Sequence, residues 1–104
     1  MRDVVIIGGG LTGLAAAREL DRAGITFTLI EVKPRLGGSI GSKFHDGFIL
    51  DSGPMLTQDT LDAPFLTDLG LKDQVYIARH DEDGKYLAFK AGMGVLIDRL
   101  AGPL

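Results

Sequence analysis

Asp3-Val-Val-Ile-Ile-Gly8-Gly-Gly10-Leu-Thr-Gly13-Leu-Ala-Ala-Ala-Arg-Glu-Leu20-Asp-Arg-Ala-Gly24-Ile-Thr-Phe-Thr-Leu-Ile30-Glu31 is the stretch that decides the fold. Val4 to Ile7 is a continuous β-branched run with no polar alternation. That pattern predicts a strand covered on both faces of a parallel sheet, and hence a central one. From Leu11 to Ala23, the residues Gly13, Ala16, Ala17, Leu20 and Gly24 fall on one stripe at helical spacing. Arg18, Glu19, Asp21 and Arg22 lie largely outside it, so a helix with a small-residue face is predicted, able to lie close on a sheet. Gly24 suits a C-terminal stop, and Ile25 to Val32 is rich in β-branched and aromatic residues, as in a second strand. A strand-helix-strand unit of this kind makes a right-handed crossover.

The pattern Gly8-x-Gly10-x-x-Gly13 is weak when taken alone, because 15 of the 104 residues are glycine. Such glycines can serve a tight turn and close packing and nothing else. Context strengthens the signal: the glycines sit between strand and helix patterns, and Glu31 closes the next strand 18 residues after Gly13 (31 minus 13), where a ribose-binding acid is expected. In that arrangement Gly8 permits the tight turn, Gly10 admits a pyrophosphate to the backbone, and Gly13 lets helix and strand approach. The N–H groups at the helix start then face the phosphate charge. Glu31 would accept hydrogen bonds from ribose hydroxyls and repel a 2′-phosphate, which disfavours NADP. The motif itself does not separate NAD from FAD. An acid at a strand end can also be simply solvated.

The rest of the composition sets bounds. A 104-residue chain with 45% apolar content fits one small domain. A net charge of -3 with scattered basic residues leaves no electrostatic footprint for nucleic acid. With no cysteine, disulfides and thiolate chemistry are excluded, and the isolated His45 and His80 lack metal-ligand spacing, so no metal site is expected. Arg2, the apolar stretch from Val4 and Ala15-Ala16-Ala17 have the outline of a signal peptide, but Asp3 and the interrupting glycines count against it. No apolar run approaches the roughly 20 residues of a membrane span. A cytoplasmic protein is the expectation.

Beyond Val32, residues 33 to 42 form a glycine-rich loop. Phe44 to Asp51 is predicted to be two short strands around His45-Asp46-Gly47. Asp62 and Pro64 suit the start of a helix running to about Leu69, with Leu61, Phe65, Leu66 and Leu69 at helical spacing and Gly70 behind it. Val75 to Ala78 and Tyr86 to Phe89 flank an acidic turn as a second hairpin. Gly92-Met93-Gly94 opens a last helix with Val95, Leu96 and Leu100 inward, ended by Gly102-Pro103. The predicted class is α/β: a partial Rossmann-like domain, β-α-β with a parallel sheet, plus short β-hairpins and two further helices.

Glu31 through Gly38, then Asp51-Ser52-Gly53-Pro54, resemble the FAD-binding amino terminus of the flavin amine oxidase superfamily, which includes phytoene-desaturase-like, protoporphyrinogen-oxidase-like and renalase-like enzymes. Phe65-Leu-Thr-Asp-Leu-Gly-Leu71 and the Gly92-Met93-Gly94 helix are similar to later elements of that family, so the resemblance covers nearly the whole chain. It implies non-covalent FAD as cofactor. Gly8, Gly10, Leu11, Thr12 and Gly13 would line the pyrophosphate, Glu31 the adenosine ribose, and Lys33 and Arg35 the adenosine or phosphate periphery. Gly37, Gly38 and Ser39 would lie along the pyrophosphate, with Gly53, Pro54 and Met55 toward the flavin end. Where the family commonly has arginine after the glycine pair, this chain has Ser39, so a charge-assisted phosphate contact is lost or supplied elsewhere.

The resemblance further implies that residues 1–104 are the amino-terminal FAD-binding piece of, or a truncated relative of, an FAD-dependent oxidoreductase, without the substrate domain and inactive alone; in the intact enzyme FAD takes a hydride from a C–N or C–C bond of a small-molecule donor. No catalytic acid or base is assigned. The alternatives are a stand-alone adenine-dinucleotide-binding module without chemistry, or one half of a split flavoenzyme. An unfinished sheet edge also predicts self-association or pairing with a complementary chain.

Overall fold

The computed structural model describes residues 3–54, 56–59, 61–102 and 104. Its first unit is β1 (Val4–Ile7), α1 (Leu11–Arg22) and β2 (Phe27–Ile30). β1 and β2 pair in parallel, from Val4 opposite Phe27 to Ile7 opposite Ile30. The end of α1 is tied off twice: Gly24 N–H donates to the Asp21 carbonyl (3.1 Å) and Ile25 N–H to that of Leu20 (2.9 Å). This pair of bonds is the glycine-terminated helix end predicted for Gly24.

Three details of this unit differ from the sequence reading. Among the described residues β1 pairs with β2 alone, and Val5 and Ile7 are 56% and 85% exposed, so the strand is covered on one side and not central. An unbroken apolar run records the absence of polar residues, not the number of neighbours. β2 is shorter than predicted, and Val32 lies beyond it, exposed. On α1 the fully buried positions are Leu14 and Ala17, while Ala16 is exposed. The helix packs against both the strand pair and the last helix, which turns the buried stripe toward Leu14.

β3 (Ser42–His45) and β4 (Phe48–Asp51) form the first predicted hairpin, antiparallel, with Asp46 and Gly47 at the turn. Both turn residues have positive φ (49° and 82°), the geometry of a two-residue turn that follows the strands' right-handed twist. The second hairpin, β6 (Val75–Asp81) with β7 (Gly84–Phe89), is longer than predicted because Arg79, His80 and Asp81 continue the pairing past an irregularity at Ala78. Arg79 stacks on Tyr86, 4.1 Å from the ring centre. A short strand not predicted from the sequence, β5 (Thr57–Gln58), adds to the other edge of β7. Two residues of pairing carry too little periodicity to be read in advance.

α2 (Pro64–Asp68) begins with proline in its first turn; Asp62 precedes the Ala63 cap position and supplies no cap bond. Its end repeats the device of α1, with Gly70 N–H donating to the Thr67 carbonyl and Leu71 N–H to Leu66. Arg18 donates to the Asp68 carbonyl (3.2 Å), and Arg99 to those of Leu69 and Gly70 (3.1 and 3.2 Å). Cations there complement the helix dipole and fasten α1 and the last helix to α2. A 3₁₀ turn at Lys72–Gln74 leads into β6, and α3 (Gly94–Ala101) closes the chain, with Gly102 at its C-cap and Pro103 outside the described residues. Leu96, Ile97 and Leu100 are its buried residues, and Val95 is only partly buried.

The core lies among the three helices and β7. Leu14, Leu66, Leu71 and Leu87 are fully buried and cluster with Phe89, Met93, Leu96, Ile97 and Leu100. Each such side chain contributes about 1.5–3 kcal/mol through burial. This core holds α1 in place, and so positions the turn in front of it. Among the described residues no helix is long and apolar enough to cross a membrane.

Candidate functional site

Gly8 N–H donates to the Ile30 carbonyl at 2.8 Å, carrying the parallel pairing one residue past β1. The chain then turns with Gly8 at φ +103°, a conformation that side-chain-bearing residues rarely adopt. One turn into α1, Gly13 stands against the Gly8 carbonyl oxygen, where a Cβ would overlap it. The helix therefore starts close upon the strand end. It starts without a side-chain cap and without an acid in its first turn. Its leading N–H groups, with the positive end of the helix dipole, are available to an anion. Gly8, Gly10, Leu11, Thr12 and Gly13, with neighbours from β1, line an open pocket of about 420 Å³.

Glu31, directly after β2, is fixed to that turn. One carboxylate oxygen accepts the Gly9 N–H (2.9 Å) and the other accepts the Lys33 N–H (3.0 Å). These donors, Lys33 first and Gly9 second, hold the carboxyl below its ordinary range by stabilising the ionised form. Glu31 is thus a charged acceptor at neutral pH. The backbone of Lys33 serves this cluster, while its side chain is exposed.

The glycine loop meets the same turn from the other side. Gly37 N–H donates to the Gly9 carbonyl at 2.7 Å, and Gly38 lies beside Gly10, with a Cβ on Gly38 falling at ordinary contact distance, 3.5 Å, from the Gly10 Cα. Arg35 is engaged within its own loop: its guanidinium donates to the Gly38 carbonyl (2.7 Å) and to the Ile40 carbonyl (3.3 Å). Ser39 and Gly53 form a neighbouring contact, in which a Cβ on Gly53 would overlap the Ser39 carbonyl. Ser52 secures it, since its N–H and its hydroxyl both donate to the Gly41 carbonyl. Pro54 is exposed, and Met55 lies outside the described residues.

Two features escaped the sequence reading. Gly9, an unspecified position of the glycine pattern, is the residue that joins turn, acid and loop; three consecutive glycines were its signal. The second is the start of α3, where Asp51 Oδ1 accepts the Ser42 hydroxyl (2.5 Å) and the Met93 N–H (3.0 Å). The Ser42 oxygen in turn accepts the Gly94 N–H at 2.9 Å.

A strand, a glycine turn, a helix and a second parallel strand followed by a pinned carboxylate define a protein of the α/β class. Residues 11–102 match the model of the flavin-containing amine oxidoreductases. The putrescine oxidase of Kocuria rosea is 36% identical over 111 residues, covering 93% of this chain and 23% of that protein. The coproporphyrinogen III oxidase of Bacillus subtilis (strain 168) is 42% identical over 79 residues, covering 68% of this chain and 17% of its own length. A solved structure of wild-type putrescine oxidase bound to putrescine superposes with a TM-score of 0.62 at 30% identity, covering 85% of this chain and 21% of that one.

The chain belongs to the flavin-containing amine oxidoreductase family, whose cofactor is FAD. It spans about a fifth of the length of the relatives it matches, 23% in the case of the putrescine oxidase.

Proposed function

We infer that the chain is the FAD-binding portion of an amine-oxidase-type oxidoreductase and holds the adenosine diphosphate half of that cofactor. The supporting observation is the meeting of Glu31 with the glycine turn through the Gly9 N–H. It puts an ionised acceptor for ribose hydroxyls beside an uncapped helix start suited to phosphate. The residues fit the group in a second respect: Gly8, Gly10, Leu11, Thr12 and Gly13 line an open pocket at that helix start.

Gly8, Gly10, Leu11, Thr12 and Gly13 would hold the pyrophosphate, Glu31 the ribose, and Gly37, Gly38 and Ser39 the opposite side of the pyrophosphate. Gly53, Pro54 and Met55 would lie toward the flavin. When bound, the flavin supplies the oxidising centre, taking up a hydride from a C–N or C–C bond of a small-molecule donor. This chain's residues bind and orient; the groups that handle the donor belong to polypeptide beyond these 104 residues, acting in the cytoplasm. The open side of β1 is then a place for pairing with such polypeptide or with a second copy.

ADP and FAD, at about a hundredfold over their dissociation constants, are expected to stabilise the chain by about 2.7 kcal/mol in thermal unfolding. Glu31→Ala should weaken both without unfolding the domain. If neither ligand raises the midpoint, the nucleotide reading fails. If ADP and FAD protect equally and no amine donor reduces bound FAD, the chain binds without performing chemistry.

A further inference from the structure

We propose that Arg35 is a positioning residue for the anion-binding loop, acting through the Gly38–Ser39 peptide and making no contact with phosphate itself. The guanidinium donates to the Gly38 carbonyl at 2.7 Å, to Ile40 at 3.3 Å and, at the limit of a hydrogen bond, to Leu36 at 3.5 Å. A planar fork can hold several carbonyls at once; an ammonium group on a flexible stem cannot do so in the same geometry.

The consequence follows from the peptide plane. In a trans peptide the C=O and N–H point in opposite directions. With the Gly38 carbonyl turned onto Arg35, the Ser39 N–H is directed away from the guanidinium. The cation also polarises that peptide, making its N–H a stronger donor. Gly37 and Gly38 both have positive φ (109° and 60°), a path that side-chain-bearing residues rarely follow. Gly37 N–H anchors this loop to the Gly9 carbonyl, which fixes it against the glycine turn. The Ser39 N–H is therefore a backbone donor whose direction Arg35 sets through the peptide it holds. This role rests on the FAD-binding reading given above.

The test compares Arg35→Lys, Arg35→Gln and Arg35→Ala in the full chain, using ADP and adenosine as ligands in calorimetry and amide exchange over residues 37–40 without ligand. All three variants are expected to weaken ADP about tenfold, the loss of a charge-assisted bond. Adenosine affinity should stay within about twofold, a split that general destabilisation would not produce. Exchange at Gly37 and Ile40 should rise about tenfold in the free protein.

If Arg35→Lys binds ADP as tightly as wild type while Arg35→Gln does not, Arg35 is a direct phosphate ligand and the proposal is overturned. Unchanged exchange in all three variants overturns it as well. If wild type binds no ADP, the nucleotide reading fails and this role fails with it; loop exchange raised in that case assigns Arg35 to the fold alone.

Discussion

Two helices of this chain begin at glycine-bearing turns, and their N-termini are treated in opposite ways. At α3, which starts with Gly94 after Gly92-Met93, the leading N–H groups are taken up by the chain itself: Met93 donates to Asp51 and Gly94 to Ser42. At α1, following Gly8-Gly9-Gly10, no side chain among the described residues caps the helix. Similar sequence texture thus makes a joint in one place and an open donor set in the other. The difference lies in what the surrounding fold brings near. The β3–β4 hairpin carries an acid and a hydroxyl to α3, whereas the Glu31 carboxylate binds the Gly9 N–H ahead of α1. Donors spent within the chain stabilise it; donors left over are available for a ligand.

The comparison can be broken most severely at Gly13. Gly13→Val would drive a branched side chain into the Gly8 carbonyl and toward Ile6, and is expected to cost about 3 kcal/mol, read as a lower denaturant midpoint. Asp51→Ala attacks the other helix. It leaves the Ser42 hydroxyl and the Met93 N–H without their acceptor and should cost about 1–2 kcal/mol, while ADP affinity is unchanged. A loss of ADP binding in that variant would show that the two helix starts are not separate in function.

Thr12→Asp separates stability from binding. A carboxylate in the uncapped first turn of α1 should raise the stability of the free chain by about 0.5 kcal/mol through the helix dipole. The same charge should exclude ADP in calorimetry; retained binding would mean that the anion goes elsewhere.

The smallest effect concerns pH and Glu31→Gln. Because the folded state depresses the Glu31 pKa, its contribution is present above the ordinary value of 4.5 and is lost as pH falls below that through the folded-state value. Thermal midpoints of wild type and Glu31→Gln should therefore differ at pH 7 and converge as pH falls through the depressed folded-state value. Parallel curves would rule out the carboxylate as the source.

What the sequence made legible was local. The β1-turn-α1-β2 unit follows from a change of period punctuated by glycine, and the first hairpin from Asp46-Gly47. Both are decided within a few residues by backbone sterics. Less legible were features settled by packing. Leu14 replaced Ala16 as a buried position because α1 must satisfy α3 as well as the sheet. The Asp51–Met93 bond spans 42 residues and the Ser42–Gly94 bond spans 52, so neither leaves a pattern in the chain. At the candidate site the residue types were readable, but their duties were not: Lys33 enters through its backbone, and Arg35 through the carbonyls it gathers.

The double attachment of Glu31 has a consequence for recognition. A free glutamate at a strand end would sample many rotamers, and a ligand fastening it would have to remove that freedom. Here both oxygens are already tethered, to Gly9 and to Lys33, before any partner arrives. The carboxylate is therefore preorganised, and a hydroxyl donor bound by it would require no rearrangement of the side chain.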